Sequence, residues 1–167
     1  MKRYYSKLVV LSGNSGSGKS TVAKALRDQG KPKIAIVEQD YLRRFILKEK
    51  ENEGTDNIAL IQQTVEFALD RGYNVILEGI LYYPRYGEML KKLVERCPNN
   101  YFYYFNVSFD ETLKRHITKP NAHEFGEKEM QKWYKPNQHT GFDSERIIPE
   151  SFTIDNTINK ILSETDI

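Results

Sequence analysis

Gly13-Asn14-Ser15-Gly16-Ser17-Gly18-Lys19-Ser20 decides the fold of this chain. The pattern G-x-x-x-x-G-K-S is that of a phosphate-binding loop, and its flanks give it the required setting. Lys7–Leu11 before it is a short apolar, β-prone run; Thr21 to Gln29 after it reads as a helix stopped by Gly30. Glycines let the backbone wrap a polyphosphate with its N–H groups, and the following helix turns its positive end toward the same phosphates. Lys19 then reaches the outer phosphates while the Ser20 hydroxyl ligates Mg²⁺. The loop together with Thr21 is the candidate nucleotide-binding set.

A length of 167 residues suits one domain over 1–167, large enough for a real core and too small for two ordinary ones. The 25 Lys and Arg nearly cancel the 23 Asp and Glu, leaving a formal charge of +2. A dedicated nucleic-acid binder would carry a stronger basic excess, so a nucleic-acid partner is possible but not favoured. Cys97 is the single cysteine, which rules out an internal disulfide and reads as a structural thiol. His116, His123 and His139 are spread over a polar region; they are expected at the surface and suggest no metal triad. The apolar run behind Lys2 and Arg3 is too short for a signal peptide, and no segment approaches the length of a membrane span. A soluble, cytoplasmic monomer or homodimer is expected.

Four apolar runs stand out: Lys7–Leu11, Lys33–Val37, Asn74–Leu77 and Tyr101–Val107. Arg146–Pro149 is a weaker fifth. Between them Ile58, Ile61, Val65, Ala68 and Leu69 recur at helical spacing, with Thr55 as N-cap and Gly72 as stop; Ser151 or Thr153 opens a final helix through Ile158 and Ile161. Strands separated by helices predict an α/β fold: about five parallel strands with helices on both faces. Two excursions leave this frame. One covers Tyr41–Asp56. The other covers Thr118–Gly141, broken by Pro120 and Pro136, with a short helix from Glu127 to Tyr134.

Switch GTPases need N-K-x-D and D-x-x-G segments, and transport ATPases an L-S-G-G-Q signature; none of these strings occurs here. A small phosphotransferase remains. The chain resembles the small P-loop kinases of the adenylate kinase, gluconate kinase and zeta-toxin type, a superfamily with the P-loop NTP hydrolase fold. The resemblance follows the order of motifs along essentially the whole chain. It implies ATP and Mg²⁺ as cofactors and transfer of the γ-phosphate to a hydroxyl of a small molecule, nucleoside-like acceptors being favoured. Acceptors of the 5′-hydroxyl polynucleotide kinases, of zeta toxins acting on nucleotide sugars, and of antibiotic phosphotransferases remain open. A non-enzymatic ATP-sensing module is the alternative of a different class.

The residues expected to carry the chemistry follow the strands. Asp40 lies directly after the second strand, at the carboxyl edge of the sheet where ligands bind in doubly wound folds. There it can accept a proton from an attacking hydroxyl, or instead cap the helix that follows. Arg43 and Arg44 are candidate contacts to acceptor or phosphate. Glu78, ending the third strand, can hold a Mg²⁺-bound water, although relatives commonly have Asp there. Tyr82 and Arg85 are further candidate acceptor contacts; the Pro84-Arg85 pair loosely resembles the acceptor-gripping segment of adenylate kinases. Arg115 and Lys119 are four apart, in the region that opens the lid of adenylate and gluconate kinases. Arg115 is expected to close over the transferring phosphate. Glu124 interrupts a His123–Phe125 pair that gluconate kinases keep intact, so gluconate as acceptor is not supported.

Overall fold

The computed structural model describes residues 6–50, 54–120 and 122–167. Five strands form one parallel sheet: β1 (Leu8–Gly13), β2 (Ile34–Glu38), β3 (Asn74–Gly79), β4 (Asn100–Asn106) and β5 (Arg146–Pro149), in the order β2-β3-β1-β4-β5. The apolar strand at the centre, β1, is buried along its whole length, as a strand covered on both faces must be. Alternation along it sends Leu8 and Val10 to one face and Val9 and Leu11 to the other.

Helices α1 (Lys19–Gln29) and α7 (Ile154–Thr165) cover the second of these faces, where Val22, Leu26, Ile158 and Ile161 pack on Val9, Leu11 and Phe105. On the first face α3 (Asp56–Asp70) and α4 (Tyr83–Arg96) contribute Ile61, Val65, Leu90 and Leu93 against Val10, Val75 and Leu77. Each such side chain, fully withdrawn from water, contributes roughly 1.5–3 kcal/mol. Cys97 is buried among them. Thr153 caps α7, its Oγ1 accepting the Asn156 N–H at 3.1 Å.

Several local expectations change. Helix α1 begins at Lys19, not Thr21, so the last two residues of the quoted motif are helical. β3 extends past its apolar run to Gly79, so Glu78 is part of the strand's carboxyl end, as expected. Thr55 precedes α3 but makes no side-chain cap; the Glu49 carboxylate does so instead, accepting the Asn57 N–H at 2.8 Å. The first excursion opens with regular structure, a short α2 (Gln39–Tyr41) running directly into a π-helical turn, Leu42–Ile46. Asp40 is thus the second residue of a helix and not its cap. The remaining helices are α5 (Phe109–Ile117) and α6 (Glu127–Trp133). Among the described residues no helix is long and apolar enough to cross a membrane.

Candidate active site

Gly18, in the left-handed region at φ 100°, delivers the chain from the loop into α1. No side chain caps this helix and its first turn holds no acid, so its leading N–H groups are left for an anionic ligand. Gly16 is required by its neighbours: at φ 80° it lies so close to α5 that a Cβ would meet the Thr112 carbonyl at 2.8 Å.

Lys19 is almost fully buried, and its ammonium donates to the Asn14 carbonyl at 2.9 Å. Burial lowers its pKa to about 8, partly countered by Glu78 and reinforced by the charge of Lys119. Glu78 is equally buried and accepts a 2.7 Å bond from the Ser20 hydroxyl. Burial pushes its carboxyl above the ordinary range, against the pull of Lys19 and Ser20. Lys119, beyond the end of α5, is near enough for its charge to act on Lys19 and for Glu78 to act on it. Burial lowers the Lys119 pKa as well. A buried site with closely spaced cations is one that anions complete.

Asp40 stands near this cluster from α2, directly after β2. It is exposed, and its two oxygens accept from Arg43 at 2.9 Å and Arg44 at 3.2 Å. Its negative charge reaches both Lys19 and Glu78. Behind it Gln39 is buried and donates to the Tyr86 hydroxyl at 3.0 Å, which lies 3.4 Å from Asn57 Oδ1. Asn57 in turn donates to Glu49 at 3.0 Å. This buried polar chain fixes α2 against α3 and α4. Gly79 makes room for it, since a Cβ there would come within 2.6 Å of the Gln39 Cβ.

Two candidate site residues, Arg115 and Arg85, are tied to protein carbonyls, and one histidine departs from the sequence reading. Arg115 is held at the β4–β5 flank, donating to the Ser17 carbonyl at 2.9 Å, the Glu150 carbonyl at 3.0 Å and the Glu111 carboxylate at 2.9 Å. Arg85 donates to the Gly54 carbonyl at 2.8 Å and lies over the Tyr86 ring, so it holds the first excursion in place. His116, expected at the surface, is buried; Nε2 contacts the Phe125 carbonyl at 2.8 Å and the ring stacks on Phe125. It points inward because it follows the buried Thr112 by four residues on α5. Tyr82 is half-buried at the end of the β3 loop, edge-on to Tyr86.

The chain matches the zeta toxin family over residues 2–101, more than half its length. It belongs to that family. No curated protein matches the sequence. The zeta-toxin-family chain is similar in fold to a gluconokinase from Sinorhizobium meliloti 1021 (18% identity, 97% of this chain and 92% of that one, TM-score 0.64). It is likewise similar to the APS kinase CysC of Mycobacterium tuberculosis, solved with AMPPNP and APS (16% identity, 95% and 96%, TM-score 0.72). A third likeness is to a chain of the Pnkp1/Rnl/Hen1 RNA repair complex, of which it covers 46% (18% identity, TM-score 0.60). At these identities the likenesses establish the P-loop kinase fold.

Proposed function

We propose that this chain is an ATP- and Mg²⁺-dependent phosphotransferase that moves a γ-phosphoryl group to a hydroxyl of a small, nucleoside-like metabolite. The observation that carries the reading is the bond from the half-buried Ser20 to the buried Glu78 beside Lys19, beneath an uncapped helix N-terminus and across from Asp40. Mg²⁺ fits this donor set: one hydroxyl and one carboxylate suit an ion that otherwise keeps water and phosphate oxygens. When bound, it neutralises charge on the outer phosphates.

The chain's own residues do the rest. The N–H groups of the loop and of α1 hold the triphosphate, with Lys19 at its outer end. Asp40 orients the acceptor hydroxyl and takes its proton as the new O–P bond forms and the bond to the ADP oxygen breaks. Lys119 offsets charge spread over the transferring group. Arg115, on the flank away from Asp40, serves the base end of the nucleotide rather than the transferring phosphate. Arg43 and Arg44 hold Asp40 in orientation.

A second acceptor class has one observation in its favour. Tyr41 and Phe45 stack on each other at 5.4 Å beside Asp40 and are 51% and 60% exposed, a surface on which bases of a 5′-hydroxyl oligonucleotide could stack. The deciding experiment measures ADP release from Mg-ATP with nucleosides, nucleotides, sugar acids, nucleotide sugars, antibiotics and a 5′-hydroxyl oligonucleotide. Acceptor-dependent release that Lys19→Ala abolishes is expected. ATP binding without stimulation by any acceptor would favour a sensing module instead.

A further inference from the structure

The side chain of Asn14, in the first half of the phosphate-binding loop, is committed to the second excursion. Its amide donates to the Lys135 carbonyl at 2.8 Å and accepts the Lys135 N–H at 3.1 Å, so the backbone of one residue is clasped on both sides. Asn14 is itself buried. Its carbonyl receives the Lys19 ammonium, which marks this end of the loop as the outer-phosphate end. The clasp therefore fixes the start of the Lys135 side chain against the part of the loop that receives the Lys19 ammonium.

From there the Lys135 ammonium reaches over the ring of Tyr82, 6.0 Å from its centroid. Tyr82 belongs to the loop after β3, between β1 and the β2 flank that carries Asp40. Lys135 is exposed, and among the described residues no carboxylate lies within ion-pair distance of it. The nucleotide does not require it. Lys19 already has the charge of Lys119 close to it, Glu78 acts on both, and Arg115 is tied to the loop at the Ser17 carbonyl. A further cation, rigidly based and aimed at the acceptor loop, is surplus to a neutral acceptor.

We propose that Lys135 is a specificity residue, and that the acceptor is a small molecule carrying an anionic group, such as a nucleotide or a sugar acid, seated between the Lys135 ammonium and the Tyr82 ring. This rests on the phosphotransferase reading and narrows it: a nucleoside would be a poor acceptor and its monophosphate a good one. Asn14 is the positioning residue, acting through the Lys135 peptide.

The test compares matched pairs, nucleoside against nucleoside monophosphate and sugar against sugar acid, in two assays. One is ADP release from Mg-ATP. The other is calorimetric binding in the presence of a non-hydrolysable ATP analogue, which reports even where turnover is absent. The anionic member of a pair is expected to be preferred in both. Lys135→Met should raise its KM and Kd about 10- to 100-fold, the loss of one charge-assisted bond. Lys135→Arg should restore most of that loss, and the KM for ATP should move much less. Preference for the neutral member, or for the oligonucleotide alone, overturns the proposal while leaving the kinase reading intact. Anion binding that ignores Lys135→Met overturns it as well, and so does an equal effect on ATP. Absence of any acceptor-dependent, Lys19-dependent ADP release sinks the kinase reading, and the binding comparison then decides the anion site by itself.

Discussion

Lys19 shows how a single buried charge reports on function. In the free chain burial holds its pKa at about 8, whereas a bound polyphosphate favours the protonated form and raises it. Nucleotide affinity is therefore expected to be full below about pH 8 and to fall as pH rises above it. Calorimetry in buffers of different ionisation enthalpy should find about half a proton taken up per nucleotide at pH 8. Affinity independent of pH between 7 and 9.5 would contradict this. At Asp40 the expected outcome is different in kind: Asp40→Asn should lower turnover roughly 10²- to 10⁴-fold while sparing ATP binding, because the proton acceptor and its arginine pairs are lost while the phosphate-binding loop is untouched. Full turnover in that variant would remove Asp40 as the base. Both positions were legible because their signal is local, one in a fixed motif and one at a strand end. Lys135 was not legible: nothing in its own neighbourhood distinguishes it from other lysines of a polar segment, and its meaning arises from an asparagine 121 positions away.

At the scale of elements, the placement of α2 depends on the absence of one methyl group. Gly79→Ala would force the Cβ against Gln39 and displace the helix that carries Asp40. Turnover is expected to fall about 10-fold or more with ATP binding retained, alongside a stability loss of about 1–3 kcal/mol by urea denaturation. Unchanged turnover would mean that α2 tolerates the shift. All five strands could be read from their apolar runs, and α7 from its periodicity and Thr153. The π-helical turn could not, since a bond such as Leu47 N–H to the Leu42 carbonyl leaves no periodic trace over five residues. The real cap of α3 was equally hidden, because Glu49 reaches it from across the first excursion.

For the whole molecule, the order β2-β3-β1-β4-β5 puts Asp40 on one flank of β1 and Arg115 on the other. That separation follows from parallel strands joined by helical crossovers, which is why the fold class was readable and the side-chain pairings across it were not. Ligand linkage gives a measurable consequence: ATP at 100 times its Kd should stabilise the chain by about 2.7 kcal/mol, a melting shift of about 5–10 °C. Lys19→Ala should abolish the shift; a shift that survives would place the nucleotide elsewhere. The Asn14–Lys135 clasp extends this coupling further. It makes the loop that grips one substrate and the peptide that presents the cation for the other a single mechanical unit. Thermodynamic reciprocity then applies: whatever factor one substrate adds to the affinity of its partner is returned in equal measure. The two substrates should bind synergistically, and Asn14→Ala should uncouple them, leaving each affinity indifferent to the presence of the other.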